Sequence, residues 1–251
     1  MNKTVRIVIL ALFLVLSKTP LFAQFAIVNN KDGYVNVRSS PEIEPNNIID
    51  TLHNGSFVYV ENIYKINDKN WTGIIFKSAY FGYVYVNDIK DISDYQCIEY
   101  VSKNENILIF RDSNISVEIK IREFDKSKHK IKYRKKNVHS IDGKEGFLGT
   151  GGSLPRYEYE YIRVTMNGTI YFLPNEAMEN LYEPNSNYPI PDGGYILLVS
   201  PFYDKENDIL YIKSDNGDGA YGYAVVWKIE KEIYKERAVR LFYGGIIKSD
   251  K

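Results

Sequence analysis

The chain has 251 residues, 32 basic and 32 acidic side chains, and one cysteine. A chain this close to neutral has no overall pull toward nucleic acid, so no nucleic-acid partner is expected. The lone Cys97 excludes an internal disulfide and leaves packed cores to hold the fold, while 22 tyrosines favour strands over helices.

Lys3 and Arg6 give the chain a short positive start, and Ile7 to Leu16 is an unbroken apolar run of ten residues. As a helix such a run reaches about 15 Å, roughly half the hydrocarbon core of a membrane, which makes it a poor anchor. Leu21-Phe22-Ala23 follows, with a small residue where cleavage needs one. Residues 1–23 therefore read as a signal peptide cleaved near Ala23–Gln24, and a periplasmic or secreted protein is expected. No cysteine lies at that junction, which argues against a lipid anchor. No other stretch is long and apolar enough to span a membrane, so no stable insertion is expected after cleavage. Removal of residues 1–23 leaves 29 basic and 32 acidic side chains, a net charge of −3.

A first domain is expected over 26–92. Tyr34-Val35-Asn36-Val37-Arg38 alternates apolar and polar residues, as a half-buried strand does, and Ser39-Ser40-Pro41 stops it. Short strands follow at 48–52, 57–60, 71–75 and 82–86. Asn54-Gly55 and 67–70 supply turns. Five short strands in so few residues describe a small barrel. The strings DGYVNVRSSP, an NG turn, NWTGI and GYVYVNDI, in that order, resemble the bacterial SH3-like (SH3b) domain. That resemblance implies a binding module, commonly for cell-wall peptidoglycan or peptide. It also implies a mostly structural Asn-Val-Arg stretch and a tryptophan in or beside the barrel. The segment is mixed in charge, whereas wall-binding modules are often basic. The candidate ligand-binding residues are Tyr34, Arg38, Trp71, Tyr80, Phe81 and Tyr83, with Tyr64 as a further aromatic, because aromatic faces stack on sugars and apolar stems. Tyr80-Phe81 precedes the last strand, where an exposed aromatic is readily explained by binding. Arg38 has a structural alternative, pairing with a turn carbonyl or an acid, and Trp71 has one as a core residue.

Between Asp91 and Tyr100 the pattern loses its rhythm, and a second, β-rich domain is expected over 100–251. Strands are predicted at 107–110, 117–122, 130–134, 157–166 and 169–173, the last two flanking Asn167-Gly168, a strong hairpin signal. Pro174-Asn175-Glu176 opens one short predicted helix to about Tyr182, before Pro184. Further strands fall near 195–200, 208–213, 222–229 and 234–243. The fold class expected is mainly β: a small SH3-like barrel followed by a larger antiparallel domain, as a sandwich or open barrel, with one short helix. Parts of this second half are similar to uncharacterised exported bacterial proteins, a likeness that brings no activity with it.

No catalytic constellation stands out. Cys97 in Tyr-Gln-Cys-Ile-Glu lacks the Asp-Cys-Ser-Gly type of context of wall cysteine peptidases, and reads as a buried or half-buried structural thiol. His129 and His139 are ten apart, with no His-x-x-x-His or Cys-x-x-Cys pair, so no metal site is expected. Asp215 to Gly219 resembles part of a calcium loop but lacks the late bidentate acid, and reads as a turn. The glycine-rich stretch 142–155 lacks the Lys-Ser/Thr and helix of a phosphate cradle. Lys126 to Lys136 holds seven basic residues and no acid. These either guard an edge strand against aggregation or attract an anionic wall polymer or acidic partner.

The expectation is an exported, non-enzymatic binding protein with no cofactor, recognising cell-wall peptidoglycan or peptide. The alternative is an inhibitor or immunity-type protein that binds a partner enzyme through loop 145–155 or 215–222 of its second domain. A hydrolase would require Cys97 or the histidines to converge with acids in one pocket.

Overall fold

The computed structural model describes residues 24–66, 69–77, 80–104, 106–189, 195–217, 219–242 and 246–247. The expected signal peptide lies outside them. The protein is mainly β, with antiparallel sheets and no helix of seven residues or more among the described residues. It divides into two compact units, one built within 24–76 and 81–90 and the other from the remainder.

In the first unit β1 (Gln24–Val28), β2 (Tyr34–Arg38), β3 (Ile48–His53), β4 (Phe57–Ile66), β5 (Lys69–Phe76), β6 (Tyr80–Tyr85) and β7 (Ile89–Asp91) share one sheet. Its strand order is β3-β2-β6-β5-β4-β1-β7. The alternation of β2 sends Val35 and Val37 into a core with Ala26, Leu52, Val58, Ile74 and Val84, and leaves Tyr34, Asn36 and Arg38 on the other face. The first strand was not predicted. It is fixed by pairing with β4, Gln24 opposite Val60, a partner that no local pattern reveals.

The second unit contains β8 (Gln96–Cys97), β9 (Tyr100–Asn104), β10 (Ile107–Asp112), β11 (Ile115–Glu123), β12 (Ile131–Arg134), β13 (Asn137–Ile141), β14 (Tyr157–Met166) and β15 (Thr169–Phe172). It continues with β16 (Asn187–Pro189), β17 (Tyr195–Leu197), β18 (Val199–Asp204), β19 (Ile209–Asn216), β20 (Tyr223–Glu230), β21 (Ile233–Leu241) and β22 (Ile246–Ile247). Two sheets, β15-β14-β11-β10-β9 and β22-β21-β20-β19-β18-β8, share a core, which makes a sandwich; β12–β13 and β16–β17 are separate ribbons. From the first sheet Leu108, Val117, Ile119, Ile162 and Val164 meet Leu210, Ile212, Val225, Trp227 and Ile229 of the second. Asn167 and Gly168 both take positive φ, 49° and 86°, which is the primed turn that the β14–β15 hairpin needs.

The predicted helix over 174–182 is not formed; only Asn175–Ala177 coils, as one 3-10 turn. The carbonyl of Ala177 instead accepts Trp227 Nε1 at 2.6 Å and Arg237 Nη1 at 3.0 Å, and Asn180 turns to positive φ. Distant side chains thus take an acceptor that a helix would have used internally.

Candidate functional site

On the face of β2 away from the core, a cleft of about 180 Å³ is lined by Asn30, Asp32, Tyr34, Val35, Asn36, Arg38, Trp71, Tyr85 and Asp88. Its rim is built by the 30–33 turn. Asn30 Oδ1 accepts the Asp32 N–H at 2.7 Å, and the Asn30 carbonyl accepts the Gly33 N–H at 3.0 Å. Asn30 Nδ2 donates to Asp88 Oδ1 at 2.7 Å, while Asn30 and Asn54 exchange two hydrogen bonds, so one asparagine ties three segments together.

Trp71 is only 1% exposed and is one of the buried core residues, the structural alternative that its sequence reading offered. Its ring stacks on Tyr85, centroids 4.0 Å apart. The buried indole N–H has no hydrogen-bond partner among the described residues. A buried tryptophan N–H usually finds an acceptor, and leaving it unmatched costs about 1–3 kcal/mol. The carboxylates of Asp32 and Asp88 in the cleft favour a ligand that carries N–H donors or a cation.

Three of the six sequence candidates, Tyr34, Arg38 and Trp71, line this cleft; Tyr80, Phe81 and Tyr83 do not. The alternation of β6 buries Gly82 and Val84 and turns Phe81, Tyr83 and Tyr85 to the same side. Phe81 and Tyr83 meet edge to face at 5.1 Å, so an aromatic row runs along β6 toward Trp71. Tyr80 is 63% exposed. Arg38 Nη1 donates to the Glu44 carbonyl at 2.9 Å and to Asn47 Oδ1 at 2.6 Å, so part of its guanidinium orders the 39–47 loop. Tyr64 lies in β4, and its side chain is outside the described set. Asn30, Asp32, Asn36, Tyr85 and Asp88 were missed, although the turn residues around Gly33 and the Asn87-Asp88 pair were visible signals.

In the second unit Cys97 is exposed on β8, not buried or half-buried as expected, because only Gln96 and Cys97 pair there with the edge of β18. Partial desolvation, then the Glu99 carboxylate, pushes its thiol pKa up, away from an activated thiolate. His53 lies on β3, and His139 pairs with Glu145 at 3.1 Å. Only His129 meets a cluster of acids. Its Nδ1 is 2.7 Å from Asp142 Oδ2, and its Nε2 is 3.3 Å from Glu158 Oε2, off the line that a hydrogen bond needs. Phe124 stacks on the ring at 4.4 Å, and Arg122 Nε holds Glu158 at 2.8 Å. With a carboxylate at each ring nitrogen, this histidine braces the foot of the β12–β13 ribbon. No group of three or more His, Cys, Asp or Glu among the described residues is arranged to hold a metal ion.

The stretch read as a calcium-like turn is partly structural core. Asn216 ends β19 fully buried, and its Oδ1 accepts from Tyr159 at 3.1 Å, Ser214 at 2.9 Å and the Asn185 N–H at 3.0 Å. Burial outweighs those bonds and raises the Tyr159 pKa, which keeps this hydroxyl a donor. Against known proteins, the chain matches no family model, no curated protein and no solved structure.

Proposed function

We propose that this is an exported, non-enzymatic binding protein whose first unit is an SH3-like module. It recognises cell-wall peptidoglycan or peptide at the cleft between Tyr34, Trp71 and Tyr85. The cleft that Tyr34, Trp71 and Tyr85 line together with the carboxylates of Asp32 and Asp88 is the observation that carries the reading. A peptide supplies N–H donors for Asp32 and Asp88, and the aromatic row on β6 offers faces for sugar rings or apolar stems. No described helix is long and apolar enough to cross a membrane.

Co-sedimentation with insoluble peptidoglycan tests the proposal. Trp71→Phe keeps most of the ring and removes the N–H; it is expected to leave stability within about 1 kcal/mol of the parent or raise it, because an unsatisfied donor disappears. Tyr34→Ala and Asp32→Asn, which change exposed groups of the cleft, should each pellet several-fold less. Full retention by both variants, or no pelleting of the parent, sinks the reading.

A second reading, an inhibitor or immunity-type protein, is favoured by one observation. The two loops expected to reach a partner enzyme meet, the Tyr221 ring lying where a Cβ on Gly151 would be only 2.4 Å away. Together they border a groove of about 380 Å³ lined by His139, Phe147, Tyr221 and Leu241 among others. It predicts a protein partner and no wall affinity.

A further inference from the structure

Of the eleven residues from Lys126 to Lys136, seven are Lys or Arg and none is acidic. They do not protect the edge of either large sheet. Residues Ile131–Arg134 pair only with Asn137–Ile141, in a ribbon of two short strands. Of the seven, Lys132 and Arg134 lie on that strand; the other five flank it, where there is no strand edge for them to guard.

Within this ribbon Ile131 packs against Val138, Ile141 and Tyr182. The register shift between Lys132 and Tyr133 places the extra residue, His139, on β13, so β12 keeps its own alternation. Lys132 and Arg134 therefore project from the face opposite Ile131, about 7 Å apart. Lys135, at φ 57°, and Lys136 form the turn beyond them. All four are exposed, and none is paired with a carboxylate among the described residues; in this segment Lys128 reaches Asp125 at 3.5 Å. The result is a cluster of exposed cations, none with a carboxylate partner among the described residues, on a chain expected to carry a net charge of −3 after cleavage.

We propose that this ribbon binds an extended polymer of phosphates. A dense cluster of exposed cations on one strand face and the adjoining turn, with one exposed large apolar side chain, Tyr133, matches a charged thread. An anionic membrane surface would favour an apolar face to insert, and an acidic protein would favour an apolar centre to the interface; the ribbon offers neither. The inference is independent of the wall-peptide reading, since it concerns the other unit and another ligand chemistry.

The test uses the purified protein and long-chain inorganic polyphosphate at low and moderate salt. Binding should weaken at least tenfold, an order-of-magnitude expectation, as salt rises and counterion release loses its advantage. A variant with Lys132→Gln, Arg134→Gln, Lys135→Gln and Lys136→Gln should bind about tenfold or more weakly than the parent. A control that removes the same charge elsewhere, Arg111→Gln, Lys205→Gln, Lys231→Gln and Lys235→Gln, should bind as the parent does. Should the fourfold ribbon variant lose its fold, Lys135→Gln with Lys136→Gln at the turn gives the same comparison with a smaller loss. Equal weakening of ribbon and control variants would overturn the proposal, as would no binding of polyphosphate. Tighter binding to anionic phospholipid vesicles at matched phosphate concentration would also overturn it, in favour of a membrane.

Discussion

Trp227→Ala is expected to remove about 3–5 kcal/mol from the second unit, the largest loss of any single substitution considered for this protein. Trp227 is fully buried in β20 and sits between the two sheets, edge to face with Tyr159 at 5.6 Å. Its Nε1 donates to the Ala177 carbonyl at 2.6 Å, which ties the 3-10 turn to the sandwich. Alanine would leave a ring-sized cavity, end the aromatic contact and free one side of that turn. Arg237 would remain on the same carbonyl, so the acceptor itself is not orphaned. Urea unfolding followed by circular dichroism should show a lower midpoint with little change in slope. Trp227→Phe, which fills much of the space but cannot donate, should cost roughly 1–2 kcal/mol. A loss below about 1 kcal/mol for the alanine variant would mean that the sandwich does not close on this ring.

Gly149→Ala is the second large effect, at about 2–4 kcal/mol. Gly149 has φ +90°, and an added Cβ would stand 2.3 Å from the Tyr182 carbonyl oxygen. That oxygen is not free to move, because it accepts the buried Tyr223 hydroxyl at 2.9 Å. Next to it, Glu183 holds Arg156 and accepts the Gly217 N–H through its own carbonyl. Gly146 provides the contrast: φ is +73°, but nothing lies within 4 Å of a built Cβ. Gly146→Ala should therefore cost only the backbone strain, on the order of 1 kcal/mol. The chain has two tryptophans, one in each unit, so thermal unfolding by Trp227 fluorescence in a Trp71→Phe background reads the second unit directly. Equal losses for the two glycine variants would show that close approach at Tyr182 is not what constrains the loop.

These expectations separate what local sequence can say from what it cannot. The β14–β15 hairpin was legible because its signals are adjacent: alternating residues from Tyr157 to Met166, then Asn167-Gly168, the pair that most readily takes two positive φ values. β2 was legible for the same reason. The helix after Pro174 was predicted on equally local grounds and failed, because the Ala177 carbonyl is claimed by side chains 50 and 60 residues further along. β8 and β9 escaped notice because short edge strands take their register from neighbours and carry little pattern of their own.

The candidate cleft divides in the same way. Tyr34, Arg38 and Trp71 could be nominated from the first half of the chain, but their convergence rests on the sheet order that sets only β6 between β2 and β5. Phe81 and Tyr83 were nominated on residue type, and strand alternation then set them further along β6 than the cleft.

The sequence by itself determined a β protein with its main strands and turns, since periodicity and turn chemistry act over a few residues. It also determined where charge is concentrated. Only the tertiary structure decided that Trp71 is buried with a donor unmatched among the described residues, that Asn216 is a buried hub, and that part of the basic stretch stands on a two-stranded ribbon. Burial and hydrogen-bond matching depend on which distant segments meet, and that is a property of the whole fold, not of any short stretch of chain.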